Sequence, residues 1–441
     1  MAMGGHASFT IGAGAGFAGD RIEPAVRMAR SGEVDAIALE CLAERTLVHA
    51  LRMREADPDA GFDPRLARRL RPLLPHAAHC RIVTNLGAAN PLAAAHAARR
   101  LARDEGQTKL RIAAIVGDDV AAQVDDVEWA QATGDGTWLG AHAYLGLEAL
   151  VEALAGGADV VITGRVADSS LVAAAPVHAL GLSGAALAGA MTAGHLLECS
   201  GQISGGNLAE PGVPYLDAQS YARLGYPVAD VAVDGSATLR LLEGDRGRLN
   251  VAGCTLQLLY EVHDPSRYVA PDSVLDFTGV RLEAISENRV RVSDARGGPR
   301  PERLKVIGFL ARRGVIADVE IAYAGTGALA RARIAAEVLR LRLPRELGLM
   351  EFVVDLVGVD SVLGRASRPL ACEPPELRVH VSARCADAEL AQSVEDEVYA
   401  LTLCGPAGGG SVRSERRARV ESITGFIPRE CVRMRVEWAD A

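Results

Sequence analysis

Between Thr163 and Asn207 the chain reads TGRVADSSLV, an apolar stretch, and then GHLLECSGQISGGN. This segment carries Arg165, Asp168, Ser169, Ser170, His195, Glu198, Cys199, Gln202 and Asn207, set among glycines that let backbone approach a ligand closely. His195 and Glu198 stand three residues apart, so a helix places both on one face. Such a pair suits acid/base work or a metal, and a histidine held structurally by the glutamate is the plain alternative. The pair alone is no zinc motif, because zinc sites need further ligands. Arg165 can grip a carboxylate or phosphate with two parallel bonds, or form an internal ion pair. Cys199 beside the pair reads as a buried, inert thiol.

Other chemistry-bearing residues lie elsewhere. Gly14-x-Gly16-x-x-Gly19 follows an apolar run and precedes a helical pattern, and Glu40 ends the next apolar run. That is the context of a dinucleotide fingerprint, with the glycines at the pyrophosphate and the acid at the ribose. Asp20, at the expected helix start, would oppose a phosphate, which leaves pocket backbone or a plain turn as the other readings. Asp118 and Asp119 suit a hard cation or a general base. Adjacent side chains point apart, so one of the two at most faces a site. In CGPAGGGSVR, Gly408 and Gly409 offer amides to an anion and Arg413 adds charge. The two lysines are Lys109 and Lys305; Lys305 reads as a snorkelling surface residue.

The elements that must position these groups alternate in the first half. Apolar runs at 8–12, 35–39, 81–84, 110–116 and 158–163 read as buried strands. Helical patterns separate them, at about 20–31 with an Asp20–Glu23 capping box, 44–56, 64–74, 91–104 and 146–155. A polar loop holding Trp129 and Trp138 precedes the last of these. Ligands bind beyond the carboxyl ends of such parallel strands. Those ends carry GAGAG, then Glu40, Glu44 and Arg45, then Asn85 and Asn90, then Asp118, then Arg165 and Asp168. From about 234 the pattern turns to alternating strands, with helices at 256–262, 328–341 and 386–403. The expected fold is therefore α/β: an N-terminal mostly parallel sheet covered by helices on both faces, residues 1–235, followed by an α+β domain with antiparallel strands, residues 236–441.

Composition narrows the function. A net charge of −9 argues against general nucleic-acid binding. The apolar runs stop well short of the ~20 residues of a membrane span, and no signal or transit peptide is expected at the start. Eight cysteines without a C-x-x-C pair suit reduced thiols in the cytoplasm.

GAGAGFAGDRIEPA, LECLAERT, the loop at 85–91, VVITGRVADSSLV and GHLLECSGQISGGN together resemble the acyclic terpene utilisation protein AtuA family. LLYEVHDPSRYVAPD, DFTGVRLE, CGPAGGGSVR and FIPRE add to that resemblance, which runs in order from about residue 9 to 431. It implies one ancestral unit and a place near acyl-CoA intermediates of acyclic terpenoid breakdown. Cys404 stands where the family pattern has Asn, Ser411 where it has Gly, and Ala88 and Ala89 where glycine is common. These departures point to a substrate other than a terpenoid thioester.

The reading that follows is an enzyme acting on a small carboxylic acid or acyl-CoA thioester, a hydratase, lyase or isomerase. His195, Glu198, Asp118 and Asp168 would move protons. Arg165 would hold an anionic group. Glu40, Arg45, Asn85, Asn90, Ser170, Gln202, Asn207, Gly14, Gly16, Gly408, Gly409 and Arg413 would contact substrate. No cofactor is required, although NAD(P) or a divalent metal would fit particular residues. The alternatives are an NAD(P)-dependent oxidoreductase and a non-catalytic subunit of a complex. Alternating strand edges favour a homo-oligomer.

Overall fold

The computed structural model describes residues 8–367 and 372–439. The leader expectation falls partly on residues 1–7, outside the described residues. The chain forms two compact units, residues 8–132, 139–309 and 422–439 in one, and 133–138, 310–367 and 372–421 in the other. This division differs from the expected 1–235 and 236–441, because the strands at 237–240, 281–286 and 289–293 extend the first sheet, while those at 268–269, 274–276 and 296–297 form a small three-stranded sheet in the same unit.

The first unit begins β1 (Ser8–Ala15), α1 (Glu23–Ser31), β2 (Ala36–Leu39), α2 (Glu44–Ala56), α3 (Leu66–Leu70), β3 (Arg81–Thr84), α4 (Pro91–Asp104) and β4 (Ile112–Val116). It continues with β5 (Glu128–Trp129), residues 139–143 of β6 (Thr137–Ala143), α5 (Glu148–Ala155), β7 (Val160–Thr163), α6 (Asp168–Leu180) and α7 (Gly184–Leu197). After α8 (Ala218–Ala222) come β8 (Val228–Ala232), β9 (Ala237–Arg240), α9 (Val251–Leu258), β10 (Tyr268–Val269), β11 (Val274–Asp276), β12 (Arg281–Ser286), β13 (Arg289–Ser293) and β14 (Arg296–Gly297). Among the described residues its main sheet has the order β12-β13-β9-β8-β1-β2-β3-β7-β4-β19, β19 being Arg435–Trp438. The centre, β1-β2-β3-β7-β4, is parallel as expected. Antiparallel β8 and β19 flank it.

Strand alternation divides the side chains between two cores. Ile37, Leu39, Ile82 and Ile162 pack with α1, α3 and α4 on one face. Ala36, Ala38, Val83 and Val161 pack with α5, α6 and α7 on the other. Helix ends follow local chemistry. The Asn90 side chain caps α4 by accepting from Ala93 N–H at 3.2 Å, and left-handed Gly32 and Gly181 end α1 and α6.

Several local expectations are corrected. The N-cap of α1 is Ile22 without a side-chain bond, because Asp20 is engaged elsewhere. The helix expected over 64–74 stops at Leu70, since Pro72 has no N–H to donate, and a 3-10 turn follows at Leu74–His76. The loop expected around Trp129 and Trp138 contains β5 and β6. The helix expected at 256–262 is α9, ending at Leu258.

The second unit takes residues 310–324 of β15 (Arg303–Ala324), α10 (Ala328–Leu347), β16 (Phe352–Val357), β17 (Glu376–Cys385), α11 (Ala388–Cys404) and residues 410–421 of β18 (Gly410–Pro428). Its strands run in the order β16-β17-β15-β18, with the β16-β17 and β17-β15 pairs antiparallel. Val319, Ile321, Val379 and Val381 pack beneath α10 and α11. No helix among the described residues is long and apolar enough to cross a membrane.

Candidate functional site

Within the first unit a cavity of about 610 Å³ opens at the carboxyl ends of β1, β2 and β7. Gly16, Glu40, Arg165, Asp168 and Glu198 line it, so loops after three parallel strands and the end of α7 converge. Glu44, Tyr144, Cys199, Tyr260, Glu261, Tyr268, Arg303 and Lys305 add further polar groups to the wall.

His195 lies in the last turn of α7 and Glu198 is its C-cap. The i,i+3 spacing brings His195 Nδ1 to 3.0 Å from Glu198 Oε1, off hydrogen-bond alignment. His195 Nε2 lies 3.3 Å from the Leu258 carbonyl, a contact that fixes Nε2 as the protonated nitrogen. Its ring stacks on Phe277, centroids 5.3 Å apart, and tilts against Tyr268 at 5.0 Å. Burial would discharge the imidazole, but Glu198 more than offsets this and raises its pKa. Burial likewise pushes the Glu198 carboxyl up, against the pull of His195. Both groups therefore hold protons more tightly than usual. Glu198 Oε2 is buried without a hydrogen-bond partner.

Glu40 is 8 % exposed and its pKa is pushed up to about 8, first by burial and then by Asp168. Leu42 N–H and Asn85 Nδ2 donate to its Oε1 at 2.8 and 2.9 Å. Arg165 is buried and donates to the Leu42 and Val166 carbonyls and to Asp168. Burial opposes its charge, but the Asp168 carboxylate beside it more than offsets this and holds the guanidinium protonated. Tyr144 lies between two cations, with Arg165 4.6 Å and Lys305 4.8 Å from its ring centre. Burial raises its hydroxyl to about 12, and the Cys199 thiol also to about 12, so both stay neutral.

The glycine loop serves the site through packing. A Cβ on Gly16 would sit 2.6 Å from the Cys199 carbonyl carbon and 2.9 Å from the Glu198 oxygen. Asp20 accepts from Gly16 N–H at 2.9 Å, from Ser200 Oγ at 2.7 Å and from the Tyr226 hydroxyl. The amide that a pyrophosphate would use is thus bonded to the chain's own carboxylate. Gly14 lies inside β1, where a Cβ would meet Ile37 at 2.4 Å.

The remaining expected residues stand behind the cavity wall or away from it. Asp118 accepts from Arg165 N–H at 2.8 Å and faces His142 Nδ1 at 2.8 Å, bracing the Arg165 loop. Asp119 pairs with Arg54. Asn85 orients Glu40. Asn90 caps α4 and also donates to the Pro58 and Ala60 carbonyls. Ser170 donates to Asp272 at 2.6 Å. Gln202 donates to Gln257, and Asn207 is exposed beside Gln202. Arg45 lines a separate cavity of about 230 Å³ with Asn85. Gly408, Gly409 and Arg413 belong to the second unit, where Arg331 donates to the Ala407 carbonyl of their loop. No group of three or more His, Cys, Asp or Glu side chains among the described residues is arranged to hold a metal ion.

Sequence reasoning passed over Tyr144, Glu261, Tyr268 and Arg303, and read Lys305 only as a surface lysine. Glu261 and Tyr268 lie within LLYEVHDPSRYVAPD, so the motif was visible but its role in the wall was not. Lys305 follows the alternation of β15, which says which face it takes but not what that face borders.

Residues 9–438 match the acyclic terpene utilisation family protein AtuA. The chain belongs to the AtuA family. Comparison with curated proteins and with solved structures gave no match. The AtuA match spans residues of both compact units.

Proposed function

We propose that this AtuA-family chain is an enzyme that moves protons on a small carboxylic acid or acyl-CoA thioester, as a hydratase, lyase or isomerase. The observation that carries the reading is the free, buried Oε2 of Glu198 at the cavity wall, backed by His195 at 3.0 Å. A buried oxygen without a partner costs about 1–3 kcal/mol, and a ligand C–H or O–H proton is the group it lacks. Glu198 then takes the proton, and His195 at 3.0 Å favours the carboxylate form that accepts it. Lys305, which makes no ion pair among the described residues, supplies positive charge for an acid or thioester oxygen. The scheme uses no redox cofactor and no metal.

The test is deuterium incorporation. Panels of short-chain acids and thioesters are incubated with the protein in D2O and followed by NMR. Exchange at a carbon next to a carbonyl, lost in Glu198→Gln, is the expected result. Exchange undiminished in a folded Glu198→Gln protein overturns the assignment.

A further inference from the structure

We propose that Glu40 is a neutral carboxylic acid whose Oε2–H binds a carbonyl oxygen as it becomes anionic, so that the substrate is a thioester or ketone reacting through an enolate. This rests on the proton-transfer reading above and names the substrate class for the same cavity.

The argument starts from which oxygen carries the proton. Glu40 Oε1 accepts from Leu42 N–H at 2.8 Å and from Asn85 Nδ2 at 2.9 Å. Two donors fill its two lone-pair directions, so Oε1 cannot also be the protonated oxygen. The Asn85 amide is fixed the right way round, because its Oδ1 accepts from Cys41 N–H at 2.7 Å. Turning it over would set two donors against each other. Asn85 lies on the far side, lining the smaller cavity, while Glu40 lines the larger one. The oxygen Glu40 presents to the larger cavity is therefore Oε2, bearing the hydrogen.

The surroundings keep that hydrogen in place. Burial disfavours the carboxylate, and Asp168, a charged group on α6, disfavours it further. Arg165 pulls the other way, but its guanidinium donates to the Leu42 and Val166 carbonyls and to Asp168. The thiols of Cys41 and Cys199, also beside this cluster, are neutral because burial raises both. An uncharged donor in a buried wall strengthens its bond as the acceptor gains charge, without first having to release an ion pair.

The step balances as follows. Glu198 removes a proton from the carbon next to the carbonyl. The C–H pair becomes the carbon–carbon π bond, and the carbonyl π pair moves to oxygen, where Glu40 Oε2–H holds it. Return of the proton to another carbon completes an isomerisation. Departure of a β-hydroxyl as water, taking the proton from Glu198, completes a dehydration.

Phenolates mimic an enolate oxygen and need no knowledge of the substrate. A series of substituted phenols of graded acidity is titrated into the full chain and read by ultraviolet absorption and proton NMR. The expected result is one phenolate per chain, a far-downfield proton resonance for the Glu40–phenolate bond, and weakening above about pH 8 as Glu40 ionises. Glu40→Gln, which keeps the Oε1 acceptor and offers a weaker amide donor, should weaken binding by about tenfold and remove that pH dependence. Equal affinity and pH profile in a folded Glu40→Gln protein overturns the proposal, as does a parent protein that binds no phenolate. If Glu40→Gln does not fold, the downfield proton of the parent alone decides. Glu198→Gln separates the two readings, because it should lose deuterium exchange and keep phenolate binding. Glu40-dependent phenolate binding without any exchange would sink the reaction class and leave the oxyanion site standing.

Discussion

Replacing Asp20 with alanine tests whether the glycine loop is held by the chain itself. The Asp20 carboxylate accepts from Gly16 N–H, Ser200 Oγ and the Tyr226 hydroxyl. Tyr226 is 3 % and Ser200 4 % exposed, so water cannot replace the lost acceptor at either hydroxyl. Hydrogen bonds to a charged group contribute about 1.5–3 kcal/mol each. Loss of the two hydroxyl bonds alone then costs about 3–6 kcal/mol, and the Gly16 amide adds to this. Urea unfolding should show a lower midpoint with an unchanged slope. Asp20→Asn, which keeps one acceptor oxygen, should lose about half as much. A double-mutant cycle gives the stricter reading: Tyr226→Phe should cost about 1.5–3 kcal/mol in the parent and close to nothing in Asp20→Ala. A coupling energy under about 0.5 kcal/mol, the ordinary additivity error, would refute the lock.

Gly16→Ala puts a Cβ against the backbone of Glu198 and Cys199, which cannot rotate away, and should lower stability by about 1–3 kcal/mol in thermal melts. Glu40 adds a pH dependence of known sign. Its folded pKa, about 8, lies above the ordinary 4.5, so the folded state holds the extra proton. Its stabilising contribution is full below about pH 4.5 and is lost as pH rises toward 8. Melting temperatures of the parent should therefore fall relative to Glu40→Gln across that window. Arg165→Met leaves the Leu42 and Val166 carbonyls without their donor, while Asp168 is exposed enough to be solvated, and should cost about 1–3 kcal/mol per stranded carbonyl by denaturant unfolding. NAD or NADP should give no thermal stabilisation while Asp20 occupies the Gly16 amide; a clear shift would favour the oxidoreductase alternative. Light scattering checks the expected homo-oligomer, for which the edge strand β16 with exposed Val353 is a natural pairing surface.

Local sequence determined the parallel core. Apolar runs such as AIAL, RIVT and VVIT, short, β-branched in part and set between helical patterns, read as buried strands, and Gly32 marks the end of α1 by its own backbone freedom. The strand-end rule then pointed to Glu40, Arg165 and Asp168, together with Arg45, Asn85, Asn90 and Asp118, and the helical period separately paired Glu198 with His195. Tertiary structure alone decided how each group is used. Asp20, a helix cap by sequence, became the acceptor for Ser200 and Tyr226, residues 180 and 206 positions away. Asn85 and Asp118, read as site residues, became supports for Glu40 and Arg165. Glu40 itself, a ribose acid by motif, became a neutral acid because burial and Asp168 act on it through space. Desolvation and charge coupling depend on what is folded over a residue, and no spacing along the chain encodes that.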